Sequence, residues 1–211
     1  MEYRNKGAMP FDVEVLFRQI LNLDQIKYIS GLIITLGKYM VLDRSMLDLR
    51  AGKTGLSYIQ RAAETKLIAE YTDMYDETSG GKKYYFYSLA PGGIYFLESE
   101  GFAHHKLPKY TNQQHRQRIL TFNKWAIANN YGINMQLPQS HKFDYFVTDK
   151  KVEGAMVVGY FSDLTNEDKI NDELKKLIFD AKQQGKDIDF TLKYEAITIP
   201  MIKIGNKSSA Y

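Results

Sequence analysis

The stretch Lys82–Gly101, KKYYFYSLAPGGIYFLESEG, decides the fold of this 211-residue chain. Tyr84 to Leu89 is aromatic-rich and reads as a strand, because such side chains suit a pleated, half-buried surface. The run stops at Ala90-Pro91-Gly92-Gly93, which is turn chemistry. Proline fits the first position of a helix, and glycine tolerates backbone angles that other residues avoid. A short apolar helix follows with Ile94, Tyr95, Phe96 and Leu97. Upstream, Asp76–Gly81 is a polar loop tip, preceded by a second strand candidate, Leu67–Tyr75. The order is strand, polar loop, strand, turn, helix.

The residues before this stretch read as helices. Phe11–Leu21 places Val13, Leu16, Phe17 and Ile20 on one side. Asp24 can cap a second helix running to about Leu36, with Ile26, Ile29, Ile33 and Leu36 at helical spacing. Gly37 is expected to end it, and Lys38–Val41 to be a short connection. Asp43 can cap a third, short helix holding Met46, Leu47 and Leu49 and closed by Gly52.

Lys53–Lys66, KTGLSYIQRAAETK, is the next helix. Leu56, Ile59, Ala63 and Leu67 share one face. Thr54, Ser57, Tyr58 and Arg61 fall at i, i+3, i+4 and i+7 on another. A short helix, a glycine turn and a helix with a polar outer face form helix-turn-helix grammar, whose second helix enters a major groove. Arg44 and Lys53, at the starts of the two helices, are then placed for flanking phosphates. Lys82 and Lys83 stand on the return side of the loop tip, where lysines meet phosphate or the minor groove. Each of these residues also has a plainer reading. Tyr58 and Arg61 suit the solvated face of any amphipathic helix, and a charged hairpin blocks edge pairing. The aromatics Tyr84–Tyr87 are expected in the core and on the sheet face.

The run from Tyr87 resembles the Y-x-L-T-x-x-G-x-x-L ending of many bacterial winged-helix DNA-binding proteins. Tyr87, Leu89 and Gly93 match; Ala90 stands where the capping Thr would be, and Phe96 where the Leu would be. The resemblance implies a winged helix-turn-helix over residues 1–101, with the two strands as its wing.

Composition sets outer bounds. The chain is 44% hydrophobic and 25% charged, which is ordinary for a globular protein and suits one large domain or two small ones. It has no cysteine, which excludes a disulfide framework, a thiolate metal site and a thiol nucleophile. A reducing cytoplasmic location is expected. Met1–Pro10 is polar, so no signal peptide is expected, and the apolar run Ile29–Val41 is too short to span a bilayer. The formal net charge of +3 does not by itself imply nucleic acid.

The charge is unevenly spread. Residues 1–100 carry 12 Lys+Arg against 13 Asp+Glu, whereas residues 101–211 carry 16 against 12. Gly101–Lys142 holds Lys106, Lys109, Arg116, Arg118, Lys124 and Lys142 with no acid. All four histidines, His104, His105, His115 and His141, also lie there, without tight metal-ligand spacing. Phe102–Tyr110 reads as a linker containing Pro108. Thr111 can cap a helix over Asn112–Asn129, with Arg116 and Arg118 in its first half. Residues 102–142 are therefore a basic linker and helix. Arg116 and Arg118 either meet an external anion or pair with acids elsewhere in the chain.

Residues 143–211 read as a small α/β domain. Phe143–Thr148 and Gly154–Phe161 are strands, with Asp149-Lys150-Lys151 as a turn. Thr165 begins a long helix with Ile170, Leu174, Leu177, Ile178 and Ala181 at helical spacing, closed by Gly185. Ile188–Ile199 and Met201–Ile204 are further strand candidates, and the tail from Gly205 is expected to be loose. Strand, strand, helix, strand after a winged helix resembles the replication-relaxation family of plasmids and mobile elements. Its C-terminal part is similar to the restriction-endonuclease core. Nucleases of that core hold a metal with an Asp and a (Glu/Gln)-x-Lys on adjacent strands. Asp144 can be the first acid, but Val157–Phe161 has neither acid nor lysine, and Glu153 is followed two residues on by Ala155.

The expectation is thus an α+β protein, not an enzyme and without cofactor or metal. Its partner would be double-stranded DNA, bound through Arg44, Lys53, Thr54, Ser57, Tyr58, Arg61, Lys82, Lys83, Arg116 and Arg118. The role would be transcriptional regulation, or replication or transfer control of a mobile element. The C-terminal domain would serve dimerisation or partner contact. The alternatives are a winged helix that docks protein, and a metal-dependent nuclease.

Overall fold

The computed structural model describes residues 23–51, 56–76, 82–105, 113–137, 145–149, 155–163, 166–186, 191–198, 202 and 204–205. The chain is mixed α+β, with two sheets among the described residues, and divides into two compact units. One comprises Met1–Asp73 and Lys83–Leu107, the other Met74–Lys82 and Pro108–Tyr211. No helix among the described residues is long and apolar enough to cross a membrane. The helix expected over Phe11–Leu21 lies outside the described residues, as do Gly52, Thr111, Asp144, Glu153, Thr165 and the tail beyond Gly205.

The first unit begins with α1 (Leu23–Tyr39). It buries Ile29, Leu32, Ile33 and Leu36 completely, the stripe its helical spacing dictates. Gly37 does not end it. The helix runs two residues further, and Met40, at a φ of 62°, turns the chain. Gly37 instead serves packing. A Cβ there would lie 2.5 Å from Leu97 Cδ1 and 3.1 Å from His104 Cβ. The His105 N–H also donates to the Gly37 carbonyl at 2.7 Å.

The residues read as a connection end in a strand, β1 (Val41–Asp43). It pairs antiparallel with β3 (Lys82–Leu89) through Val41↔Ser88, Leu42↔Tyr87 and Asp43↔Phe86. β3 in turn lies between β1 and β2 (Ile68–Asp76). Asp43 caps α2 (Arg44–Ala51) as expected, with Oδ1 accepting from the Met46 N–H at 2.8 Å and the Ser45 hydroxyl at 2.7 Å. Its Oδ2 accepts from the Tyr84 hydroxyl at 2.6 Å, so one carboxylate fixes a helix start and a strand together.

α3 (Leu56–Glu64) seats Ile59 and Ala62 fully in the core, while Ala63, expected on that face, is half-buried. The helix closes with Leu67 N–H donating to the Ala62 carbonyl and Lys66 N–H to the Ala63 carbonyl. Lys66 has a φ of 57°, the left-handed residue of a Schellman closure. α4 (Pro91–Ser99) starts three residues before Ile94, with Ala90 at its N-cap making no side-chain bond and Pro91 in its first turn. The Ala90 N–H donates instead to the Leu67 carbonyl at 3.1 Å. A Cβ on Gly92 would lie 2.8 Å from the Lys66 carbonyl oxygen, and one on Gly93 would overlap that of Leu67. The two glycines therefore let the start of α4 rest on the turn that leaves α3.

The second unit holds α5 (Gln113–Ala128), β4 (Gly132–Ile133), β5 (Tyr145–Asp149), β6 (Ala155–Tyr160), α6 (Glu167–Gln183) and β7 (Thr191–Ala196). Its sheet has the order β4-β5-β6-β7, with β4, β5 and β6 antiparallel and β7 parallel to β6. Alternation along the strands sorts the core onto two faces. Tyr145, Val147, Met156 and Val158 pack with Ile170 and Leu174 of α6. Phe146 faces the other way and stacks on Phe122 of α5 at 4.0 Å between ring centroids. A Cβ on Gly159 would lie 2.5 Å from the Trp125 ring. α5, read with the linker, thus covers one face of this sheet.

Three details depart from the sequence reading. The N-cap of α6 is Asn166, whose side chain accepts from the Lys169 N–H at 3.0 Å. Asp149 ends β5 rather than starting a turn, and it accepts from the Asn134 side-chain amide at 2.9 Å. The last strand, β8 (Ile204–Gly205), is not in the β4–β7 sheet; it pairs antiparallel with Tyr75 and Asp76 at the end of β2.

Candidate nucleic-acid interface

The residues singled out in the helix-turn-helix stretch are placed by α2, α3 and the cores beneath them. Ile59 and Ala62 point inward, so Tyr58 and Arg61, one position before each, lie off the buried face. Arg61 keeps 41% of its side chain exposed, and its Nη1 lies 3.6 Å from Glu64 Oε2. A pair this exposed holds the guanidinium loosely and leaves it able to change partner.

Tyr58 is held by a neighbour that sequence reasoning missed. Its ring stacks on Tyr28 of α1, with centroids 5.1 Å apart and planes at 21°. Tyr28 is 43% exposed. The only sequence signal for it is an aromatic one residue off the Ile29 stripe. The stack joins the outer sides of α1 and α3 into one aromatic surface.

Arg44 opens α2 as expected, but its Nε donates to both carboxylate oxygens of Asp48 at 3.2 Å. It is half-buried, so its first commitment is within its own helix. Lys53 and Thr54 lie outside the described residues. The backbone of Ser57 falls in the first turn of α3 and that of Lys82 opens β3. Lys83 is exposed, with its Nζ 5.6 Å from the centroid of the Tyr85 ring on the same side of β3. Of the four β3 aromatics read as core and sheet face, Phe86 and Tyr87 are buried, Tyr84 is half-buried and Tyr85 is exposed. Burial, with the Glu70 carboxylate bonded to it, pushes the Tyr87 hydroxyl up to about 12.

Arg116 and Arg118 belong to the second unit and do not behave as a pair. Arg116 is buried, at 8% exposure, so it offers no surface charge to an external anion. Arg118 is half-buried, with its guanidinium 6.0 Å from the centroid of the Phe161 ring. The two arginines of the basic block therefore sit differently, one buried and one half-buried.

Among the described residues no group of three or more His, Cys, Asp or Glu is placed to hold an ion. His104 Nε2 lies 3.8 Å from Glu98 Oε1.

No family model, no curated protein and no solved structure matches the chain.

Proposed function

We propose that the first unit is a winged helix-turn-helix module that binds duplex DNA. The observation that carries the reading is the order α1-β1-α2-α3-β2-β3 with β1 paired to β3. It rests α3 on the core through Ile59 and Ala62 and leaves Tyr58 and Arg61 outward. A helix so placed can lie in a major groove while Lys83, beside the β2–β3 connection, reaches the backbone. In this reading Arg61 is the base-reading candidate and Lys82 and Lys83 are phosphate contacts. Arg116 is left out of the DNA-facing set because it is buried.

The resemblance to the replication-relaxation family extends the proposal to transcriptional regulation, or to replication or transfer control of a mobile element. The second unit then serves self-association or partner contact. Cleavage is not part of the reading, because β6, AMVVGY, carries neither acid nor lysine.

The test is a titration of random-sequence duplex DNA at several salt concentrations. Binding whose log affinity falls linearly with log salt supports the reading. No binding at low salt removes it and favours protein docking on the same helix. One observation favours that second reading, the half-exposed Tyr28–Tyr58 stack, since aromatic rings are enriched at protein interfaces.

A further inference from the structure

We infer that two copies of this chain associate by pairing their β7 strands antiparallel, centred on Tyr194. This deepens the self-association proposed for the second unit and is independent of whether the first unit binds DNA. Among the described residues β7, TLKYEA, is the last strand of its sheet, with β6 on one side.

The direction of its backbone groups can be read from the ladder. The Ile197 N–H, just past the strand, donates inward to the Tyr160 carbonyl of β6 at 2.8 Å. Backbone groups alternate along a strand, so Lys193 and Glu195 also turn theirs inward. Leu192, Tyr194 and Ala196 turn theirs outward, to the edge. Antiparallel pairing about Tyr194 makes Tyr194 a hydrogen-bonded pair with its own copy. It also sets Leu192 against Ala196 of the second copy, closing about six backbone hydrogen bonds.

The side chains select this register. Lys193 and Glu195 stand on one face of β7, with Nζ 3.1 Å from Oε1, and the Tyr131 hydroxyl donates to the same carboxylate. Centred on Tyr194, Lys193 of each copy lies directly opposite Glu195 of the other. These are non-hydrogen-bonded positions, where facing side chains come closest. One step in one direction sets Lys193 against Lys193. One step in the other sets Glu195 against Glu195. A lysine on an edge ordinarily repels an incoming strand. The glutamate two residues on makes the same edge attractive to its own copy in a single register, and the contact closes under two-fold symmetry.

The test is the oligomeric state of the full chain by sedimentation equilibrium, with circular dichroism to check folding. The unmodified protein is expected to dimerise. Lys193→Glu and Glu195→Lys each set like charges opposite twice, and each is expected to raise the dissociation constant about tenfold or more. Mixing the two variants puts opposite charges back across both pairs, as does the double variant K193E/E195K. Recovery of the dimer in both shows that the single variants are folded and that β7 is the contact. A dimer indifferent to both reversals overturns the β7 edge while leaving self-association standing. A chain monomeric at every concentration overturns both, and neither result bears on DNA binding, which is measured separately.

Discussion

Gly93 faces the carbonyl oxygen of Leu67 so closely that a methyl group on its α-carbon would overlap that oxygen. The contact explains why the first turn of α4 is Pro-Gly-Gly: α4 must begin against the backbone that leaves α3. Because the obstacle is backbone, no rotamer change can relieve it. Gly93→Ala should destabilise the first unit by about 1–3 kcal/mol, the usual range for forced overpacking. Chemical denaturation of the two proteins measures this. An unchanged midpoint would mean the turn moves aside freely.

Arg61→Ala separates binding from folding. The side chain is 41% exposed and its ion pair to Glu64 is loose, so the melting temperature should stay unchanged. Removing a base interaction should weaken binding to a selected duplex by about 1–3 kcal/mol and relax preference at one position. An unchanged dissociation constant would rule out α3 as the reading element.

Lys82 and Lys83 should act differently. Replacing both by alanine should weaken binding equally on all duplexes. The slope of log affinity against log salt should fall by roughly 0.9 for each phosphate no longer neutralised. A change in sequence preference with the slope intact would assign these lysines to bases instead of phosphates.

Arg116→Ala should leave that salt slope alone, because the side chain is buried. It should cost about 1–3 kcal/mol of stability, a melting-temperature drop of roughly 2–12 °C for a chain of this size. A reduced slope with an unchanged melting temperature would place Arg116 against DNA after all.

Tyr87 gives the chain an alkaline limit. Its hydroxyl is raised from 10.0 to about 12 by burial and by Glu70. The unfolded chain therefore releases the phenolic proton at a lower pH than the folded one, and between these values the folded state binds more protons. Stability from this group is full below about pH 10 and is lost as pH rises through about 12. Tyr39 and Tyr131 are also raised by burial, so Tyr87→Phe should flatten part of the decline. Urea melts across the alkaline range measure the difference. Parallel curves for the two proteins would refute the role of Tyr87.

The sequence alone determined what repeats locally. The apolar spacing of Ile29, Ile33 and Leu36 marked α1, and Asp43 marked the start of α2. The aromatic run before Pro91 marked β3, and the outward position of Arg61 followed from helical period. These signals span several residues, and each is fixed by backbone geometry within its own segment.

Tertiary structure decided what depends on a distant neighbour. A strand of three residues such as Val41–Asp43 shows no period, and only pairing with Phe86–Ser88 makes it one. Gly37 reads as a helix stop, but the close approach of Leu97 and His104 gives it a packing role within the helix. Tyr58 reads as a solvated side chain until Tyr28 is brought against it from another helix. Arg116 and Arg118 look alike in a basic run, yet one is buried and the other lies over Phe161. Burial of a charged side chain is set by what packs around it, and the residue's own segment carries no record of that.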